Sequence, residues 1–173
     1  MPILNKKGLM IQFECSLPNE NHARQVFEWR NDPVTCSMSF NTLPKTWSEF
    51  QREYLTCMHI VPELPPLFII ENDQRVGHIF FDRGEHPTDS HLNSCIISIN
   101  IAPEHRGKGI GSKALQMLNP WIERQGFHAI IAIVKKDNGP SHKIFRGSGY
   151  EEVKIEHTHS IYIATLAHKV NND

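Results

Sequence analysis

Apolar and polar positions alternate through LMIQFEC, Leu9–Cys15, the period of a strand with one buried face. Beyond Pro18, Ala23, Val26, Phe27 and Arg30 fall at helical spacing within NENHARQVFEWRND, and Pro33 is expected to end that helix. A second helix is predicted over Thr46–Met58. Thr46 caps it, Glu49 completes a capping box, and Trp47, Phe50, Tyr54 and Leu55 form its apolar face. PLFIIENDQRVGHIFFD holds two apolar runs split by Asn72-Asp73-Gln74, the mark of a hairpin. GEHPTDSH reads as a loop, and CIISINI as a continuously apolar strand suited to mid-sheet. A glycine-rich turn follows, then a helix carried by Leu115, Leu118, Trp121 and Ile122, kinked or ended near Pro120. HAIIAIV is another buried strand, and GPSHKIFRGSG a short helix with Pro140 in its first turn and Gly149 past its end. YEEVKIE and SIYIATLA close the chain as a strand pair. The order β-α-α-β-β-β-α-β-α-β-β, without repeat or linker, predicts one α/β domain over residues 1–173 around a mostly antiparallel sheet.

Bulk properties narrow the partners. A chain of 173 residues can bury its own core. Its 18 Lys and Arg against 19 Asp and Glu are dispersed, giving net charge −1 and no basic face for nucleic acid or an anionic membrane. Cys15, Cys36, Cys57 and Cys95 form no CxxC pair, which favours reduced thiols. MPILNKKGLMIQF lacks the long apolar core of a signal peptide, and no run approaches a membrane span, so a soluble cytoplasmic chain is expected. His157 and His159 share one face of a strand but find no third ligand nearby, and no metal is expected.

The chemistry concentrates in INIAPEHRGKGIGSKALQML, where Gly107, Gly109 and Gly111 alternate between a strand and a helix. Glycines so placed let backbone N–H groups close on phosphate. A P-loop requires G-x-x-x-x-G-K-[ST], and Ser112-Lys113 stand here in reversed order at the wrong spacing. A dinucleotide turn is matched by Gly109, Gly111 and Ala114, but its next strand should end in a ribose-binding acid, and HAIIAIV ends in Lys135-Lys136.

Arg106, Gly109 and Gly111 also form R-x-x-G-x-G, which resembles the acyl-coenzyme A motif of the GNAT acetyltransferase superfamily. One strand later, Asn138, Ser141, Phe145, Gly149 and Tyr150 resemble its N-x-x-[AS]-x-x-x-[FY]-x-x-x-G-[FY] pattern. The resemblance implies a GNAT fold, with splayed central strands and flanking helices. It implies acetyl-CoA as co-substrate, its pyrophosphate held by the N–H groups of Arg106, Gly107, Lys108, Gly109, Ile110, Gly111 and Ser112 at a helix N-terminus. Asn100 and Ile101 are expected at the thioester, and Asn138, Ser141 and Phe145 along the rest of the cofactor.

For the acceptor, FEWRNDPVTCSMSFN resembles a GNAT subgroup that acetylates nucleotide-linked amino sugars in making nonulosonic acids. Trp29, Arg30, Asn31, Ser39 and Phe40 are then the substrate-binding candidates, Arg30 being suited to phosphate. His78 and Phe80 depart from that subgroup's G-Q-I-R-F-D. R-N-D-P occurs also in acetyltransferases of ribosomal-protein N-termini, so a protein N-terminus or a small amine is the alternative acceptor. The partners implied are acetyl-CoA and an amine, with room for a homodimer.

Amine acetylation needs a deprotonated amine, a stabilised oxyanion and a departing thiolate. Asp82 is the candidate base, directly or through water, with Asp32 a second; Cys95 stands where some relatives carry glutamate. Many members place a tyrosine where Phe145 stands, and phenylalanine donates no proton. A thiol pKa of about 8.5 makes the thiolate a tolerable leaving group without one. The same residue is compatible with a non-catalytic acyl-CoA sensor.

Overall fold

Asn72 and Asp73, at φ 49° and 61°, make the tight turn that the hairpin requires; such short polar side chains tolerate the left-handed region. The computed structural model describes residues 11–166, so Leu9, Met10 and Ala167 of the predicted terminal strands lie outside it. The hairpin joins β2 (Leu67–Glu71) to β3 (Gln74–Glu85), and β1 (Ile11–Cys15) pairs antiparallel with β2. β3 runs two residues into the predicted loop. Gly84 pairs with Ser94 there, and a Cβ on it would lie 2.7 Å from Ile96 Cγ1, so only glycine continues the strand at that spacing.

β4 (Asn93–Ile101) completes the first half of the sheet. The second half is β5 (Ala129–Lys135), β6 (Glu151–Ile155) and β7 (His159–Thr165), in the order β1-β2-β3-β4-β5-β7-β6. Every pairing is antiparallel except β4 with β5. That parallel contact covers only Ser94–Ala129, Cys95–Ile130 and Ile96–Ile131. Past Ile96 and Ile131 the two strands part, and the sheet forks, as expected for splayed central strands.

Helices cover both faces. α1 (Glu20–Arg30) and α3 (Trp47–Thr56) lie on one, burying Ala23, Val26, Trp29, Phe50 and Tyr54 against Phe68. The capping box of Thr46 and Glu49 is present. α4 (Ile110–Arg124) and α5 (Gly139–Gly147) lie on the other, over Ile69, Ile79, Phe81, Cys95, Ile97 and Ile130. Successive strand residues point to opposite faces, so Leu67 and Ile69 join the second core while Phe68 joins the first.

Two expectations about proline are corrected. Pro33 does not close a helix; α1 ends at Arg30, and Pro33 opens a further helix, α2 (Pro33–Met38), for which its fixed φ is pre-set. Asp32 caps α2 by accepting from the Thr35 N–H at 2.9 Å. Pro120 does not end α4, which runs on to Arg124. The apolar stripe of Leu115, Leu118 and Ile122, all buried, holds the helix against the sheet on both sides of the break.

Candidate functional site

Between β4 and α4 the backbone makes one 3₁₀ turn (Pro103–His105), an extended residue at Arg106, and left-handed glycines at 107 and 109, φ 74° and 77°. A Cβ on either glycine meets nothing within 4 Å, so both are needed for their conformation rather than for want of space. No side chain caps α4, and the first helical bond found there is Lys113 N–H to Gly109 O, 3.2 Å. The first-turn N–H groups of α4 therefore face outward with the positive end of a 15-residue helix, the chemistry of an anion cradle. Gly111 lets α5 approach: its Cβ would stand 2.9 Å from Ile144 Cδ1. Ser148 Oγ closes the same seam, donating to Ser112 O at 3.3 Å.

The cradle stands at one tip of the fork. From Ile97 to Ile101 the edge of β4 that faces β5 has no strand partner among the described residues; Ile101 C=O accepts from Arg106 Nε at 3.2 Å, and the other N–H and C=O groups of that edge can meet an extended ligand bearing amides. Asn100 and Ile101 lie on this stretch. Across the fork, Asn138 Oδ1 caps α5 by accepting from Ser141 N–H at 3.1 Å. Phe145 is 4% exposed, with its ring edge-on to Tyr150 at 5.1 Å and stacked on Tyr162 at 6.1 Å. The Tyr162 hydroxyl bonds His142 Nδ1 at 2.7 Å, and the Tyr150 hydroxyl donates to Asn119 Oδ1 at 3.1 Å. Burial pushes the Cys95 thiol up to about 12, so it stays protonated.

The acceptor candidates take other places. Trp29 is buried and edge-on to Phe68. Arg30 gives Nη2 to Asn41 O at 2.9 Å and Leu43 O at 3.4 Å, and Nη1 to Cys36 Sγ at 3.2 Å. Asn31 copies a strand pairing with Lys45: Nδ2 donates to Lys45 O at 2.8 Å and Oδ1 accepts Lys45 N–H at 2.9 Å. Arg30 and Asn31 hold the segment that follows them, while Trp29 belongs to the core. Ser39 Oγ donates to Thr35 O at 2.7 Å. Phe40 is 59% exposed and stands edge-on to His159 of β7 at 5.9 Å, across the mouth of the fork.

Residues on the α1 and α3 face of the sheet form rows: His78–Asn100, Phe80–Ser98 and Asp82–Ile96 on one arm, and Lys135–His159, Ile133–Ile161 and Ile131–Ile163 on the other. The first two rows straddle the fork; the third is still paired across Ile96 and Ile131. Asp82 is thus exposed and two residues, about 7 Å, from the first open row. Its Oδ1 accepts the Arg83 N–H at 2.8 Å. Burial alone raises the Asp32 carboxyl, but hydrogen bonds from the Thr35 N–H and the Arg106 guanidinium outweigh it and hold the group below the usual carboxylate range.

The sequence reading gave no site role to Thr35, which accepts from Arg106 at 2.7 Å, or to Lys135, whose Nζ reaches Ser37 O at 2.9 Å. Asp-Pro as cap and first helical residue is the signal by which α2 is recognisable. Among the described residues no group of three His, Cys, Asp or Glu is arranged to hold a metal, and no helix is long and apolar enough to cross a membrane.

Residues 23–150 match the model of the acetyltransferase (GNAT) family. A probable N-acetyltransferase of Arabidopsis thaliana, HLS1, is 32% identical over 78 residues; the match spans 44% of this chain and 19% of that protein. Among solved structures, an N-acetyltransferase from Staphylococcus aureus Mu50 superposes with TM-score 0.70 at 19% identity, over 91% of this chain and 99% of its own. The aminoglycoside acetyltransferase AAC(6')-Ib in complex with coenzyme A superposes with TM-score 0.75 at 16% identity, over 90% and 94%.

Proposed function

The chain belongs to the acetyltransferase (GNAT) family, and on that premise we propose that it transfers acetyl from acetyl-CoA directly to a primary amine, that of a nucleotide-linked amino sugar. One observation carries the donor half: an uncapped helix N-terminus behind two left-handed glycines, set at the tip of a fork whose β4 edge has no partner. Pyrophosphate suits the first and an amide-bearing arm suits the second. When bound, acetyl-CoA supplies a thioester carbonyl on which the amine nitrogen would form its C–N bond as the C–S bond breaks and the thiolate leaves.

The chain's own residues supply position and electrostatics. Residues 106–112 offer backbone N–H groups to the phosphates, and the Asn100–Ile101 edge offers them to a developing oxyanion. Asp82 takes the amine's proton through water. Phe145 packs one wall and leaves thiol protonation to solvent.

Support for the amino sugar comes from the Trp29–Pro33 segment with Ser39, Phe40 and Asn41, and from a structural relative named as an aminoglycoside acetyltransferase. In this reading Phe40 and His159 flank the acceptor, while Arg30 and Asn31 act by holding the loop that carries Phe40 and Trp29 packs the core beneath α1. Phe145 favours one second reading, a sensor that binds acyl-CoA without turning it over.

Thiol release from acetyl-CoA, measured against nucleotide-linked amino sugars, peptides with free N-termini and polyamines, tests all three. Release with the sugars supports the proposal. Release with peptides or polyamines retains the transferase and removes the sugar. Coenzyme A binding without release on any amine leaves the sensor.

A further inference from the structure

The arginine that heads the glycine motif does not turn toward the turn it opens. Arg106 Nη2 is 2.8 Å from Asp32 Oδ2 and 2.7 Å from Thr35 Oγ1, and Nε donates to Ile101 O at 3.2 Å. Both acceptor side chains belong to the start of α2, on the acceptor side. Thr35 Oγ1 also lies 3.4 Å from Asn100 Oδ1, so the contact reaches the open stretch of β4.

The other end of α2 is held from the opposite arm. Lys135 Nζ donates to Ser37 O at 2.9 Å, and Asn138 Nδ2 donates to Met38 O at 3.1 Å. Those are last-turn carbonyls, which a helix of any length leaves without intrahelical partners, and a lysine there also meets the negative dipole end. Pro-Val-Thr-Cys-Ser-Met is too short, and too poor in helix formers, to hold a helix by itself. It persists because Arg106 and Asn100 secure its start and Lys135 and Asn138 its finish. α2, about 9 Å long, therefore bridges β4 and β5 where the sheet itself has let go.

We propose that Asp32, Thr35 and Arg106 are positioning residues, a clasp that seats α2 across the fork and so fixes the acceptor segment relative to the donor turn. The guanidinium of Arg106 serves the acceptor side; the phosphates are served by backbone N–H groups. This rests on the proposed function for what occupies the glycine turn and for the acceptor that Ser39 and Phe40 meet. The division of labour follows from geometry. A guanidinium shared between a carboxylate and a hydroxyl that its own loop holds in place gives up two charge-assisted bonds if it swings to a phosphate. The chain beyond Thr35 carries Ser39 and Phe40, so a loosened α2 displaces what meets the acceptor while the glycines keep their own φ.

The test compares Arg106→Gln, Asp32→Asn and the double variant with the parent. Calorimetric titration with coenzyme A at low and high salt reads the donor side; thiol release on the amine that the parent acetylates reads the acceptor side. The expected pattern is coenzyme A affinity within about threefold of the parent with an unchanged salt dependence, and unchanged KM for acetyl-CoA. The acceptor KM rises by about tenfold, and the double variant is no worse than either single one. Thr35→Val keeps the side-chain shape, removes only the hydroxyl and shows the same split in smaller measure. Loss of about tenfold or more in coenzyme A affinity with a flattened salt dependence, in Arg106→Gln alone, makes Arg106 a phosphate ligand and overturns the proposal. An unmoved acceptor KM in all variants overturns it as well.

Amide exchange at residues 34–39 decides the clasp where the parent turns over no amine. Protection lost in Asp32→Asn supports it, and protection kept refutes it. A parent that does not bind coenzyme A refutes the donor reading by itself, and the exchange measurement, which needs no ligand, still decides the clasp.

Discussion

The turn at residues 106–112 and the segment at residues 29–45 face the same fork, yet backbone conformation organises the first and side-chain bonds to distant backbone organise the second. At the turn, two positive-φ glycines and an uncapped helix present N–H groups without help from any side chain. In the other segment, Arg30 reaches residues 41 and 43, Asn31 reaches Lys45, and Asp32 reaches Arg106. A backbone device tolerates changes around it as long as its glycines stay. A side-chain device is only as specific as the partners it reaches, so R-N-D-P here marks a braced loop and not the chemistry of what the loop meets.

The largest expected effect separates the layers by acid. His78 lies beside Asn100 on the α1 and α3 face of the sheet, 3% exposed, and burial foremost, with the nearby His59 and His22 charges, lowers it from the usual 6.5 to about 3. The unfolded chain takes up a proton near pH 6.5 that folded His78 refuses until about pH 3. Stability is therefore full above pH 6.5 and is lost as pH falls, by about 2 kcal/mol between pH 7 and 5 from this residue alone. His22 and His59, also lowered by burial, add in the same direction. Urea unfolding at the two pH values measures it, and His78→Gln should flatten the difference; a parent that is equally stable at both removes the argument.

Arg30→Met breaks the brace without touching the turn. The carbonyls at 41 and 43 lose a charged donor, at a cost of about 1–2 kcal/mol, partly recovered by water. Thermal unfolding should register that loss while coenzyme A affinity stays where it was. An equal fall in affinity would mean that the two regions are not separable.

Gly109→Ala is the converse. Positive φ strains an alanine and tips the turn away from the conformation that presents its N–H groups, so coenzyme A affinity is expected to fall by about tenfold. Residues 29–45 keep their amide-exchange protection, and loss of it would again join the regions.

The smallest effect is Phe145→Tyr. The ring is packed between Tyr150 and Tyr162, and the turnover rate should change by less than about threefold, because a thiolate leaves adequately without an acid. A gain of about a hundredfold would show the missing hydroxyl to be the main defect of this site.

Legibility in the sequence followed the range of the interactions. The capping box at Thr46 and Glu49, the turn at Asn72-Asp73 and the glycines at 107 and 109 are all settled within a few residues, and each was visible as written, whereas Asn138, expected along the cofactor, caps α5. α2 shows locally only its Asp32-Pro33 start, which reads as a stop; what makes it persist is Arg106, Lys135 and Asn138, some 70 to 100 positions along the chain. Pro120 misled for the same reason: burial of Leu118 and Ile122 against the sheet outweighs the local break.

By itself, then, the sequence determined the kinds and order of most elements, the mostly antiparallel α/β sheet and the glycine turn before α4, since hydrophobic period, caps and backbone φ act locally. Only the tertiary structure decided where β4 and β5 part, that Arg30 and Asn31 brace a loop, and that Arg106 faces α2. Those outcomes depend on which distant backbone groups come within hydrogen-bonding distance, and no local pattern encodes that distance.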